Sequence, residues 1–270
     1  MTSSHNEFAH SVLQWFDRHG RHDLPWQHPR TPYRVWVSEI MLQQTQVATV
    51  IPYFERFMTA FPTLEALADA TEDEVLALWA GLGYYARGRN LRRAAVQLVE
   101  EGRRTLPDTL DGLMALPGIG RSTAGAILSM GFGIRAPILD GNVKRVLCRH
   151  EAIEGWPGER RVEQQLWELS ESLTPRDRVD DYTQAIMDLG ATVCTRSRPA
   201  CDLCPLRATC QARQKGLETV LPHPRPRRTL PERHATALIL LDAEGRCLME
   251  KRPSPGIWGG LWCPPISGWD

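Results

Sequence analysis

The amino-acid sequence predicts a mainly α-helical domain followed by the start of a smaller domain that contains β-strands. Three observations support this fold class. Apolar residues recur at helical spacing from Phe8 to about Ala191, no alternating strand pattern of useful length occurs before residue 234, and a proline-rich stretch separates the two regions. With 270 residues, 42% of them hydrophobic, the chain is long enough to bury a sizeable core. This composition excludes a disordered chain and a collagen-like repeat.

The helical region consists of successive amphipathic segments. Thr71 and Glu74 precede one of them with the spacing of a capping box, in which both side chains satisfy free backbone N–H groups at the start of a helix. Apolar residues share one helical face in the segments 8–16, 75–79, 91–99, 143–147 and 166–169.

The domain boundaries follow from a change in composition. We expect an all-α domain over residues 1–220, which includes the cysteine-rich loop, a linker over 221–233 and an incomplete second domain over 234–270. The linker contains four prolines among basic residues, a composition that stays extended. Residues 235–241 and 246–251 have the composition of two paired strands. The 37 residues of the last region are too few to fold alone.

The sequence favours a cytoplasmic protein that does not span a membrane. Its N-terminus lacks a basic leader followed by an apolar core, and no stretch approaches about eighteen uninterrupted apolar residues.

Four of the seven cysteines lie within seventeen residues, whereas Cys148, Cys247 and Cys263 are scattered. A disulfide framework would not have this distribution. Four thiolates suit either zinc or an iron–sulfur cluster, and the softness of sulfur alone does not choose between them. The predicted metal ligands are Cys194, Cys201, Cys204 and Cys210.

A short glycine-containing turn separates two helical segments at Leu116–Ala124. Gly118 and Gly120 permit a tight hairpin, and the next helix begins with free N–H groups that favour an anion. Such a hairpin grips a DNA phosphate without reading bases. The alternative is an ordinary connection between two helices.

Two acidic residues occur in unusual surroundings. Glu39 interrupts a helical run that is apolar on all sides, and burial would favour its protonated form and make it a general acid. Asp140 stands just before a helix that starts near Asn142. Two carboxylates can cleave a glycosidic bond, one by protonating the leaving group and one by stabilising the cationic sugar. The alternatives are a partly exposed surface glutamate and a simple N-cap.

Together these segments resemble the MutY-type adenine DNA glycosylases. The resemblance rests on SEIMLQQTQV around Glu39, GLGYYARGRNL at 81–91, LPGIGRSTAGAIL at 116–128, LDGNVKRVL at 139–147 and the cysteine loop. It implies a helix-hairpin-helix DNA glycosylase domain with one [4Fe-4S] cluster on the four cysteines. It also implies that residues 234–270 begin an α/β Nudix-like domain that recognises 8-oxoguanine.

The resemblance also implies roles for individual residues. Glu39 would protonate adenine, and Asp140 would stabilise the sugar cation or capture it covalently. Gln44 and Tyr84 would wedge into the DNA stack, and Leu24, Trp26 and Gln184 would line the adenine pocket. The full set of candidate substrate and DNA contacts is Leu24, Trp26, Gln43, Gln44, Tyr84, Gly118, Gly120, Ser122, Asn142 and Gln184.

Ser122 determines the expected reaction class. Related bifunctional glycosylases carry a lysine at this hairpin position, and a serine hydroxyl cannot form their imine intermediate. We therefore expect a monofunctional enzyme. The resemblance implies that it acts on double-stranded DNA that contains 8-oxoguanine:adenine or guanine:adenine mispairs, and we expect it to be a monomer. If the second domain is truncated, discrimination between the two mispairs should weaken.

The alternatives to an adenine glycosylase are an endonuclease III-like glycosylase and lyase for oxidised pyrimidines, and a non-catalytic DNA-binding iron–sulfur module.

The formal net charge of +0 would argue against a nucleic-acid-binding protein, but the charges are segregated along the chain. Residues 84–105 carry six Arg against two Glu, and residues 194–233 carry nine Lys or Arg against three acids. Residues 151–188 carry four Arg against ten acids. Since DNA responds to local potential, neutrality does not exclude DNA binding, and we expect the acidic helices to face away from the duplex.

Overall fold

The computed structural model describes residues 2–226, 232, 234–253 and 259–267 and divides into two units, Met1–Arg225 and Pro226–Asp270. The first unit is helical, which confirms the predicted fold class. Its described helices are α1 (Thr2–His19), α2 (Pro32–Leu42), α3 (Val47–Ala60), α4 (Leu64–Asp69), α5 (Glu72–Trp79), α6 (Ala86–Glu100), α7 (Leu110–Met114), α8 (Arg121–Ala126), α9 (Gly141–His150), α10 (Arg160–Leu173), α11 (Val179–Asp188) and α12 (Gln211–Lys215).

The core of the first unit surrounds α2. Thr31 caps this helix by accepting a hydrogen bond from Arg34 N at 3.3 Å, and Pro32 occupies its first turn, where no backbone donor is lost. Val35, Trp36 and Met41 are almost completely buried. A helix that is buried nearly all round places any polar residue it carries inside the protein.

Two local features show how the helices begin and end. The Thr71–Glu74 capping box is confirmed: Glu74 N donates to Thr71 Oγ1 at 3.2 Å and Thr71 N donates to Glu74 Oε2 at 2.7 Å. Short π-helical turns extend α8 over Ile127–Gly131 and α11 over Leu189–Val193. Such turns are rare and are frequent at functional sites.

The second unit contains short paired strands. Strand β1 (Thr236–Ala237) pairs antiparallel with β4 (Ile266–Ser267), and β2 (Glu250–Lys251) pairs antiparallel with β3 (Trp262–Cys263). The two segments predicted as strands, 235–241 and 246–251, are joined by a bridge between Leu241 and Cys247 and by a hydrogen bond from Leu248 N to Leu240 O at 2.9 Å. Residues 227–231 and 233 of the predicted linker lie outside the described residues. None of the described helices is long and apolar enough to cross a membrane.

Candidate active site and cysteine loop

A cavity of about 600 Å³ opens in the first unit and is walled by residues far apart in sequence. Three arginines and two carboxylates are among the residues that line it: Arg21, Glu39, Asp140, Arg145 and Arg196. Eight of the predicted site residues line it: Leu24, Trp26, Glu39, Gln43, Ser122, Asp140, Asn142 and Gln184. Gln44, Tyr84, Gly118 and Gly120 are not part of this lining.

Glu39 lies on the cavity wall near the C-terminal end of α2. The adjacent residues Ser38 and Ile40 are buried, and Glu39 keeps partial exposure only. Burial raises the pKa of Glu39 to about 8, and the negative charge of Asp140 contributes to the same shift. A carboxyl group with this pKa is mostly protonated at neutral pH and can serve as a proton donor.

Asp140 is both the N-cap of α9 and part of the cavity wall. Its Oδ1 accepts from Val143 N at 2.8 Å, and its Oδ2 accepts from Asn142 Nδ2 at 3.1 Å. Burial raises the pKa of Asp140, whereas these hydrogen bonds and the charge of Arg145 act in the opposite direction. The capping role and a role at the cavity are therefore compatible.

Gln184 is held from behind by a completely buried aspartate. Gln184 Nε2 donates to Asp188 Oδ1 at 2.7 Å, and Asp188 also accepts from Arg21 through its backbone N at 2.8 Å and through Nε at 2.9 Å. A carboxylate accepts but does not donate, so the Gln184 amide must present its nitrogen to Asp188. Its oxygen is then directed away from Asp188. Arg21 and Asp188 were not predicted, since 167 residues separate them.

The acidic stretch at 151–188 also contributes to the cavity. Gln184 and Met187 of α11 lie in its wall. That the acidic side chains of this stretch face away from the duplex stays a prediction.

The predicted hairpin lies between α7 and α8. Gly118 has φ +81°, a conformation that disfavours other residues, and a Cβ there would come within 3.0 Å of Asn90 Cβ. Gly120 is the N-cap of α8. Ser122 Oγ accepts from Leu139 N at 2.9 Å, which ties the hairpin to the segment that precedes Asp140.

The two predicted wedge residues share an unusual backbone conformation. Gln44 has φ 58° and Tyr84 has φ 49°. Both side chains are exposed, Tyr84 to 61%. A large aromatic side chain that is exposed on a strained backbone is typical of a binding role rather than of core packing.

The four predicted cysteine ligands line a common cavity at the end of α9. Burial raises the pKa of Cys204 to about 12 and also raises the pKa of Cys210. Among the described residues, no three His, Cys, Asp or Glu side chains are grouped so that they could hold a single metal ion. The donor set is nonetheless all sulfur, which suits a soft metal centre.

Two arginines of α9 hold the start of this loop, and neither was predicted. Arg149 is 2% exposed and donates to Cys194 Sγ at 3.3 Å, Thr195 O at 2.7 Å and Leu221 O at 2.8 Å. Arg145 donates to Cys194 O at 2.6 Å and to Asn142 Oδ1 at 2.8 Å. Their spacing of four residues on one helix was the available signal.

Sequence comparison shows the family of this protein. Residues 37–172 match the family described as HhH-GPD superfamily base excision DNA repair protein. An adenine DNA glycosylase of Buchnera aphidicola subsp. Acyrthosiphon pisum (strain APS) is 42% identical over 258 residues, which are 96% of this chain and 73% of that relative. The chain belongs to the adenine DNA glycosylases of this superfamily. The human adenine DNA glycosylase is 40% identical and is covered over 58% of its length, against 97% of this chain.

Solved structures share the fold of this chain. A thermostable thymine-DNA glycosylase superposes with a TM-score of 0.69 at 25% identity, covering 79% of this chain and 98% of that one. An endonuclease III from a non-covalent DNA complex superposes with a TM-score of 0.66 at 22% identity, covering 80% of this chain and 98% of that one. The latter likeness shows the shared fold.

Proposed function

We propose that this adenine DNA glycosylase is monofunctional and hydrolyses the N-glycosidic bond of adenine mispaired with 8-oxoguanine or guanine in double-stranded DNA. The observation that carries this proposal is the pair of unequal carboxylates, Glu39 and Asp140, on one cavity wall. The cavity falls within the size range of small-molecule sites, and it can receive a base that has been flipped out of the duplex.

The surroundings of the two carboxyl groups support a protonated Glu39 and an ionised Asp140. Burial and the neighbouring charge both favour protonated Glu39. Asp140 receives hydrogen bonds from Val143 and Asn142 and lies near Arg145, and all of these favour its ionised form. We infer that the proton of this coupled pair resides on Glu39, because burial raises the pKa of both carboxyl groups but Asp140 also accepts hydrogen bonds that favour its ionised form.

This arrangement supports acid-catalysed departure of the base. Glu39 donates its proton to N7 of adenine, the bond between N9 and C1′ breaks, and the electron pair of that bond leaves with the base. Ionised Asp140 stabilises the cationic sugar or captures it as a covalent ester. Glu39, now a carboxylate, accepts a proton from the water that attacks C1′.

Gln184 supports the selection of adenine. Its amide nitrogen is committed to Asp188, so its oxygen is the group available to a base. An oxygen acceptor matches the exocyclic amino group of adenine and opposes the carbonyl oxygen of guanine at the same ring position. Leu24 and Trp26 provide apolar contact area for the purine ring.

The remaining predicted residues are assigned to the duplex. Gly118, Gly120 and the hairpin would contact the DNA backbone, and Gln44 and Tyr84 would fill the space left by the flipped base. Ser122 supports hydrolysis without strand cleavage, since this residue lines the cavity and its hydroxyl cannot form an imine.

Cys194, Cys201, Cys204 and Cys210 would hold one [4Fe-4S] cluster. Bound there, the cluster would cross-link residues 194–210, a loop with little core of its own. Residues 234–270 would begin the Nudix-like domain that contributes to recognition of 8-oxoguanine.

A base-release assay on paired substrates tests the proposed function. Duplexes contain adenine opposite 8-oxoguanine, adenine opposite guanine, or an oxidised pyrimidine. We expect release of adenine from the first two, loss of release in Glu39→Gln and retained DNA binding by that variant. Borohydride trapping as efficient as base release would show a lyase instead. Release of the oxidised pyrimidine alone would indicate the endonuclease III-like activity, and no release at all would indicate a non-catalytic module.

A further inference from the structure

The two proposed wedge residues lie on separate segments, and both segments have a strained backbone. Gln44 follows α2, and Tyr84 precedes α6. They are two of the four non-glycine residues with positive φ in the described part of the chain. Such conformations cost about 1–3 kcal/mol each and persist only where the surroundings hold them.

The side chain of Arg87 lies between the two segments and donates to both. One terminal nitrogen, Nη1, donates to the backbone oxygens at the end of α2: Ile40 at 3.0 Å, Met41 at 2.9 Å and Gln43 at 2.5 Å. The other, Nη2, donates to the segment before Tyr84 and to a side chain just after Gln44: Leu82 O at 3.1 Å, Gly83 O at 3.2 Å and Thr45 Oγ1 at 3.3 Å.

The guanidinium of Arg87 also lies close to two aromatic rings. Its Cζ lies 5.5 Å from the ring centre of Tyr84 and 5.5 Å from that of the buried Trp79. Trp79 Nε1 in turn donates to Gly83 O at 3.2 Å. The guanidinium thus contacts one wedge side chain directly and fixes the backbone that leads to the other.

Arginine is chemically suited to this position. The last carbonyl groups of α2 have no partner within the helix, and a planar fork with several donors satisfies them together with the oxygens of a second segment. A lysine would keep the charge but would present its three donors from one nitrogen, without a planar face for the aromatic rings.

We propose that Arg87 is a positioning residue that holds Gln44 and Tyr84 at a fixed separation, so that both enter the DNA stack together when the target base is extruded. This inference rests on the proposed function. It assigns Arg87 to base extrusion and not to bond cleavage.

The test separates extrusion from bond cleavage. Arg87→Lys is introduced into the Glu39→Gln background, in which the base is not released. The probe is a duplex with adenine opposite 8-oxoguanine and the fluorescent base 2-aminopurine beside the adenine, whose emission rises when the stack opens. Arg135→Lys is the matched control, because Arg135 also donates to backbone oxygens, but those of Glu171 and Thr174, which belong to neither wedge segment.

We expect Arg87→Lys to reduce the rate or amplitude of the fluorescence rise about tenfold, as the loss of several hydrogen bonds to one group implies. Affinity for a duplex that already contains an abasic-site analogue should change less than about threefold, since no base is extruded there. Titration with the duplex that contains the abasic-site analogue measures the amount of folded protein. Arg135→Lys should leave the fluorescence rise unchanged.

Two outcomes would overturn this assignment. An unchanged fluorescence rise in Arg87→Lys would show that Arg87 does not act on extrusion. This holds whether or not Arg87→Lys slows adenine release in the protein that retains Glu39. An equal loss in Arg135→Lys would reduce the effect to general stability. Failure of the proposed function itself is distinguishable, because protein with Glu39 and Arg87 intact would then release no adenine at all.

Discussion

The cavity and the cysteine loop both contain buried polar groups, but the surroundings stabilise the charged form in the loop and disfavour it in the cavity. At the loop, buried Arg149 donates to the Cys194 sulfur and to three backbone oxygens. Each of its three guanidinium nitrogens therefore has a hydrogen-bond acceptor. In the cavity, burial and the charge of Asp140 both act against ionised Glu39. The first arrangement stabilises one conformation, and the second favours a protonated carboxyl group.

This difference separates stabilising from reactive polar groups. A matched buried charge contributes little chemistry, because its partners already satisfy it. A carboxyl group with a strongly raised pKa is typical of a catalytic acid, provided that it faces a cavity. Glu39 meets both conditions, and the four cysteines meet the chemical requirement of a structural metal centre.

The largest expected effect concerns the charge of Asp140. In Asp140→Asn the N-cap of α9 is retained, since asparagine caps helices as well as aspartate does. The negative charge beside the sugar cation is lost, and we expect single-turnover adenine release to fall about 10³-fold. The melting temperature checks that the fold is intact. Release within tenfold of that of the unsubstituted protein would contradict the role of Asp140.

The second prediction concerns the loop. Cys204→Ser should lose the bound iron and reduce the free energy of unfolding by roughly 3 kcal/mol, because a metal that binds only the folded loop stabilises it. Iron and sulfide content and thermal unfolding measure these effects. Exposed Cys247→Ser is the matched control and should retain the iron. Stoichiometric zinc without iron in anaerobically purified protein would refute the [4Fe-4S] proposal.

Local features of the fold could be predicted from the sequence because they depend on neighbouring residues. The Thr71 capping box uses groups three residues apart, and the Asp140 cap bonds Val143 at the same spacing. The helical core follows from periodicity. The π-helical turn at Leu189–Val193 was not predictable, since it shifts the hydrogen-bond pattern without a change in apolar spacing.

The candidate site was predictable only in part for the same reason. Glu39 stands out as a charged residue in an apolar run, a local signal. Asp188 gives no such signal, because its partner Arg21 is 167 residues away. Arg87 lies in a basic segment that suggests a solvated surface, whereas its role depends on backbone oxygens from α2, more than forty residues earlier.

The third prediction concerns stability and follows from the raised pKa of Glu39. The folded protein holds the Glu39 proton up to about pH 8, whereas the unfolded chain releases it near its ordinary value of 4.5. The free energy of unfolding therefore falls as pH rises between these values and levels off above them. Glu39→Gln removes this cost, and we expect a gain of roughly 5 kcal/mol at pH 9, with little gain near pH 4.5. Denaturant unfolding at both pH values measures it, and an equal gain at both would contradict the shift.

The smallest expected effect is the alkaline limb of the pH–rate profile. It tests whether Glu39 is the general acid or only a buried carboxyl group with a raised pKa. If protonated Glu39 is required, single-turnover adenine release should fall about tenfold for each pH unit above about 8. At low pH the rate should fall again as Asp140, whose pKa is also raised, becomes protonated. The acid limb should vanish from the residual activity of Asp140→Asn, whereas the alkaline limb should remain. A rate that is unchanged between pH 7 and pH 10 would assign proton donation to another group and refute Glu39 as the general acid.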